Sequence, residues 1–110
     1  MTDKELLELA AKAAGVRPMG WRDSHGYMDA VLTAWNPLEN DGDAFRLAVQ
    51  LGLTIVVWRD EQMSYAGTEI GYGWVAEDWD GMFEPHDDNP FTATRRAIVR
   101  EAAKIGSRMP

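Results

Sequence analysis

The sequence predicts an α+β fold: a short, mainly antiparallel sheet covered by helices on both faces, in the order α-(β)-α-β-β-(β)-α. Three observations carry this. Residues 53–58 form the best strand in the chain and are apolar on both alternating faces, with Leu53, Ile55 and Val57 on one and Val56 and Trp58 on the other. A sheet wetted on one side would alternate with polar residues, so this strand asks for cover above and below. Three stretches carry helix punctuation and apolar residues at helical spacing. The strand-like segments after residue 60 follow one another through short turns, which favours antiparallel pairing.

The first helix starts at Thr2, where Thr2 and Glu5 have capping-box spacing. The Thr oxygen can accept from the N3 amide while Glu5 returns to the cap amide. Leu6, Leu9, Ala10 and Ala13 then form the apolar stripe, with Leu7 and Ala14 beside it, and Gly15 is the natural stop. Such a helix is too short to stand alone and must pack on something. Residues 16–34 are turn-rich, with Pro18, Gly20 and the run Asp23-Ser24-His25-Gly26. They read as a loop with a short strand near 31–35. Asn36-Pro37 breaks regular structure, because the residue before proline is pushed out of the helical region. Asn40 or Asp41 caps the second helix, and Asp41 and Asp43 suit the positive end of its dipole. Phe45, Ala48 and Val49 supply its apolar face, and Leu51-Gly52 its end.

The strand at 53–58 is expected to be central and buried on both faces. Residues 61–80 read as one or two further strands, with 73–77 the likeliest strand core and Pro85 to Asp88 a loop. Asn89 caps the last helix and Pro90 takes its first position, where a missing N–H costs nothing. Ala93 or Thr94, Ala97, Ile98, Ala102 and Ile105 make its buried stripe, and Gly106 is expected to end it. The 110 residues form a single domain, 1–110.

Composition narrows the chemistry. With no cysteine, thiol catalysis, disulfides and thiolate zinc sites are excluded. The charged N-terminal residues carry no signal-peptide core, and no apolar run reaches membrane-spanning length. These features and the lack of cysteine suit a reducing cytoplasm. The net charge of −7 argues against general duplex-DNA binding. Solubility is the plainer reading of that acidity, and mimicry of a phosphate surface the sharper one. The charge is unevenly placed: Glu77, Asp78, Asp80, Glu84, Asp87 and Asp88 precede a helix that carries Arg95, Arg96, Arg100 and Lys104. Pairing between these two blocks is the expected arrangement.

No motif for chemistry stands out. Asn40-Asp41-Gly42-Asp43 invites a calcium loop, but placing Gly42 at position 6 puts Pro37 at position 1 and Ala48 at position 12, where acids are needed. A helix cap explains these residues better. His86-Asp87-Asp88 could offer acid–base or metal groups, yet His25 is the only other histidine, so a surface loop is the plainer reading. Ser24-His25 lacks a nucleophile elbow, and Gly71-x-Gly73 lacks a third glycine and a following helix. No metal or other cofactor is expected. The five tryptophans remain. Trp35 and Trp58 suit the core, whereas Trp21, Trp74 and Trp79 lie near turns and acids, where exposed indole serves recognition.

Two blocks then acquire a wider meaning. Trp35-Asn36-Pro37-Leu38 with Asp41-Gly42-Asp43-Ala44 and Arg46-Leu47-Ala48-Val49, followed by Ala93-Thr94-Arg95-Arg96-Ala97-Ile98-Val99-Arg100, resembles the phage α-β-α sandwich domain family of small phage and prophage proteins. The N-terminal Glu5–Ala10 and Ala13-Ala14-Gly15 are similar to that family as well. The resemblance spans most of the chain but not 17–34 or 59–86. It implies the layered fold and a bacterial cytoplasmic setting. It implies no reaction and transfers no catalytic residue.

The expected function is therefore a non-enzymatic phage or prophage accessory role. The chain would bind a host or phage protein through an acidic, Trp-containing surface made of Trp74, Trp79, Asp78, Asp80, Glu84 and Arg96. The alternative is a small-molecule or nucleotide-binding domain, an enzyme among the options, that uses residues 74–88 with the arginines of the last helix. A homo-oligomer is compatible with either.

Overall fold

The computed structural model of the chain describes residues 1–16, 20–22, 26–28, 34–68, 79–87 and 89–110. Helix α1 covers Asp3–Ala14, and both bonds of the Thr2–Glu5 capping box are made. Gly15 closes it in the left-handed region at φ 71°, a conformation costly for any side chain with a β-carbon. Its buried residues are Leu6, Leu7, Ala10, Ala11 and Ala14. The buried face is thus rotated from the expected stripe: Ala11 replaces Ala13, and Leu9 is only partly covered.

Strands β1 (Gly20–Arg22), β2 (Gly26–Met28) and β3 (Ala34–Trp35) form one antiparallel sheet in that order. The end of the strand expected near 31–35 coincides with β3, and residues 31–33 lie outside the described residues. The other two strands were not anticipated, because three-residue strands beside turn residues leave no periodic signal.

The stretch from Asn36 to Asp43 is closed by its own side chains. Asn36 Oδ1 accepts from Leu38 N at 3.1 Å, and Asp43 Oδ2 accepts from Asn36 N at 2.9 Å. Helix α2 (Asp41–Leu51) is capped by Asn40, whose Oδ1 accepts from Asp43 N at 2.8 Å. Asp41 instead pairs with Arg95 of the last helix at 2.6 Å. Asn40 is thus the cap of α2, one of the two residues expected there.

The apolar face of α2 differs from expectation. Ala44, Leu47 and Ala48 are buried, while Phe45 and Val49 are 69% and 64% exposed. The two small alanines let α2 approach α3 closely, and that contact turns Phe45 and Val49 outward.

Strands β4 (Thr54–Trp58), β5 (Met63–Gly67) and β6 (Gly81–Pro85) form the second antiparallel sheet, again in chain order. The centre is β5, with Ser64, Tyr65, Ala66 and Gly67 all buried. The expectation that 53–58 would be central is corrected: β4 is at the edge of this sheet among the described residues, and Val57 is 45% exposed. The strand expected at 73–77 lies outside the described residues. The third strand, β6, lies beyond the strands expected in 61–80 and takes in Pro85, which was expected to begin a loop; Gly81, Glu84 and Pro85 are poor strand residues, and Pro85 is tolerated at the strand's end.

Helix α3 (Pro90–Ser107) is capped by Asn89 and begins with Pro90 as expected. It does not stop at Gly106, which is buried inside it; Arg108 is the C-cap. Ala93, Ala97, Ile98, Val99, Glu101, Ala102, Ala103 and Gly106 are buried around its circumference, as befits the central helix of the molecule. Helix α1 packs along one side, α2 along another, and the β4–β5–β6 sheet lies beneath. The structure is thus an α+β fold with helices packed on an antiparallel sheet. Among the described residues no helix is long and apolar enough to cross a membrane.

Candidate functional site: the aromatic sheet face and its charged border

The register separates the two faces of the β4–β5–β6 sheet. Val57, Ser64 and Glu84 lie abreast, as do Ile55, Ala66 and Met82. This face meets α3, where Ser64 Oγ lies 2.7 Å from Thr94 Oγ1 and Glu84 pairs with Arg100 at 2.7 Å. Val56, Tyr65 and Phe83 lie abreast on the opposite face, with Trp58 two residues from Val56 on the same side.

That opposite face is aromatic. Tyr65 is fully buried, and its ring lies 4.9 Å from those of both Trp79 and Phe83. Trp58 stacks on Phe83 at 6.1 Å and meets Trp79 edge-on at 5.5 Å. Such pairs add about 0.5–1.5 kcal/mol each beyond area burial. The Tyr65 hydroxyl donates to the Asp80 carbonyl at 2.9 Å. Its ring leans over Gly67 and Gly81, which pair across the ladder and whose missing side chains make the room. Trp58, Trp79 and Phe83 stay half-buried. Exposed acids stand at both ends: Asp60 and Glu61 in the β4–β5 turn, and Asp80 ahead of β6.

The residues singled out by sequence fall into three groups. Trp79 belongs to the aromatic cluster. Asp80, Glu84 and Arg96 are in ion pairs: Asp80 with Lys104 at 3.0 Å, Glu84 with Arg100 at 2.7 Å and with Arg96 at 3.7 Å, and Arg96 also with Asp3 at 3.1 Å. The acidic stretch and the basic helix therefore pair, as their composition suggested. Trp74 and Asp78 lie outside the described residues.

Glu101 was not singled out, although it sits two helical turns from Thr94 on the sheet side of α3. It is 1% exposed. The Lys104 ammonium is 2.8 Å from its Oε1, yet neither carboxylate oxygen has a well-directed hydrogen bond. Burial pushes the Glu101 carboxyl above its ordinary value, and Lys104 offsets this only in part. Burial alone would lower the Lys104 ammonium, but Glu101 and Asp80 more than compensate and raise it. The hydrogen bond and charge of Lys104 hold exposed Asp80 below its ordinary value.

A pH dependence follows. Unfolded Glu101 ionises near 4.5, whereas the folded protein retains the proton to higher pH. Its contribution to stability is complete below that value and is lost as pH rises through the raised folded pKa. Asp80 acts in the opposite sense, its contribution fading as pH falls. Glu101→Gln removes the first term, so the melting temperature of the wild type relative to this variant is expected to fall from mildly acidic to neutral pH. A difference that is flat across this range would contradict a buried, hard-to-ionise carboxyl.

His86 was expected in a surface loop but is buried, with Nε2 2.9 Å from Ser64 Oγ. The Ser64 hydroxyl thereby links His86 to Thr94. The partners are 22 and 30 residues from Ser64, so no local spacing could reveal the chain of bonds. Ser64 itself is fully buried, which suits a structural link and not an accessible nucleophile. Outside it opens a polar cleft of about 240 Å³ bordered by Glu84, His86, Asp87, Asn89 and Arg96. Among the described residues no three His, Asp or Glu side chains converge as metal ligands would.

A larger, apolar groove of about 790 Å³ lies between α2, β4 and the start of α3. Ala44, Ala48 and Ile98 are its buried residues, and Phe45, Val57 and Phe91 its exposed large apolar ones.

Comparison with known proteins gives no match: no family model, no curated protein and no solved structure matches the chain.

Proposed function

We propose that the chain is a phage or prophage accessory protein that acts in the bacterial cytoplasm by binding another macromolecule, and that the aromatic sheet face is its recognition surface. The observation that carries this reading is the half-buried cluster Trp58, Trp79 and Phe83, bordered by exposed Asp60, Glu61 and Asp80. Large rings held rigid by one another lose little entropy on contact, and desolvated tryptophan supplies affinity. The acids around them steer a basic partner and set its orientation. The phage setting rests on the resemblance of the Trp35–Val49 and Ala93–Arg100 segments.

Affinity capture from bacterial host cells, with mass spectrometry, tests the reading. A protein retained by the wild type should be recovered several-fold less by the double variant Asp60→Lys/Glu61→Lys, whose exposed side chains leave the melting temperature unchanged. Trp79→Phe, which keeps an aromatic ring in the cluster, should weaken capture in the same direction. Recovery unchanged by both variants would sink the aromatic face as the surface.

The polar cleft at Glu84, His86 and Arg96 favours the alternative of a small-molecule site. At about 240 Å³ it falls below the ~300–1,000 Å³ of usual ligand pockets, so it suits a small polar molecule and not a nucleotide.

A further inference from the structure

We propose that the groove between α2, β4 and α3 is covered by a second copy of this chain, related by a two-fold axis beside β4, so that two three-stranded sheets join edge to edge through antiparallel β4 strands. Four observations lead to it.

The first is the edge itself. Among the described residues β4 pairs with a strand on one side only, and its centre is Ile55, Val56 and Val57, with no lysine, proline or bulge to discourage pairing. An apolar edge of this kind is a template for another strand.

The second is the apolar stripe of α2. Phe45 and Val49 stand one helical turn apart and are both exposed, and Phe45 lines the groove. Asp41 at the start of α2 and Arg59 just beyond β4 border the same groove, so the helix and the strand run antiparallel. A two-fold axis that pairs β4 with β4 antiparallel therefore also sets the two α2 helices antiparallel, with Phe45 of each copy facing Val49 of the other. The patch holds knobs (Phe45, Phe91) and a floor of small residues (Ala44, Ala48), which is what a self-complementary interface needs.

The third is area. At 69% and 65% exposure, Phe45 and Phe91 leave roughly 200–340 Å² of ring surface in water between them. That approaches the lower end of the largest apolar patch on an ordinary monomer, about 300–600 Å². Val49, Val57 and the strand edge extend it toward the roughly 800 Å² per partner of a stable interface.

The fourth is charge. Helix α2 has acids in its first turn and no basic side chain in its last, so its negative end lacks a cation of its own. With β4 paired about Val56, Arg59 of one copy comes opposite Leu53 of the other, beside that helix end. Arg59 is exposed and makes no ion pair among the described residues.

Solution mass by light scattering tests the proposal on the full chain. The wild type is expected at twice the 12.3 kDa of one chain. Phe45→Glu and Val49→Glu replace exposed side chains, so each should give a folded monomer with an unchanged circular dichroism spectrum. Arg59→Glu should weaken the dimer at least several-fold. Because the chain has no cysteine, a single thiol introduced by Val56→Cys can pair only between copies, and oxidation should cross-link it as a dimer. A wild-type monomer at submillimolar concentration overturns the proposal, whether or not an unrelated peptide enters the groove. So does an open-ended assembly, or a dimer that survives both glutamate variants. A dimer that never cross-links through position 56 overturns the strand-to-strand arrangement.

Discussion

Tyr65→Ala is expected to destabilise the protein by about 3–5 kcal/mol, the usual result of truncating a large buried aromatic. Tyr65 is fully buried at the centre of the central strand. Its ring supports Trp79 and Phe83 at 4.9 Å and fills the space over Gly67 and Gly81. None of these can collapse into the vacated volume without breaking the ladder. Small domains hold only about 5–15 kcal/mol in total, so the variant should unfold at markedly lower denaturant. Tyr65→Phe keeps the ring and loses the bond to the Asp80 carbonyl, for about 0.5–1.5 kcal/mol. Equilibrium denaturation of the two variants separates packing from hydrogen bonding. If Tyr65→Ala unfolds within about 1 kcal/mol of the wild type, the Tyr65 ring does not hold the aromatic cluster together.

Gly106→Ala tests the helix layer by its sign. In an exposed helix interior, this substitution stabilises by roughly 0.5–1 kcal/mol, because glycine loses more freedom on folding. Here the added carbon would fall on the carbonyl oxygen of Leu9, within the backbone of α1. Backbone cannot swing aside as a flexible side chain does, so the two helices must separate. Loss of about 1–3 kcal/mol is expected, as for other overpacked cores. Any gain in stability would mean that α1 and α3 do not approach at this point.

The local grammar of the chain was legible without a structure. Thr2 with Glu5, Gly15, Asn40, and Asn89 with Pro90 mark helix ends because each satisfies or spares backbone groups within a few residues. The pairing of the acidic stretch with the basic helix was legible too, since opposite charges in such numbers seek each other. Which side of each helix turns inward was not. Ala44, Phe45, Ala48 and Val49 give α2 two adjacent apolar stripes, and periodicity weighs both alike. Contact with α3 chose the pair of alanines because small side chains allow closer backbone approach, and it left Phe45 and Val49 outside.

The same division runs through the candidate site. By itself the sequence determined the α+β class, the three helix starts, the stops at Gly15 and Gly52, the strand at 54–58 and the acidic, tryptophan-rich composition. Only the tertiary structure decided that β5 is central and β4 an edge, that Gly106 is a contact and not a stop, that Tyr65 gathers Trp58, Trp79 and Phe83 around it, and that His86 and Glu101 are buried. The physical reason is range. Caps, turns and propensities act over three or four residues and are written in adjacent letters. Strand order, helix facing and the burial of a polar group are settled by partners 20 to 97 residues away, as the Ser64–His86, Lys104–Asp80 and Lys12–Met109 contacts illustrate. No local pattern encodes those pairings.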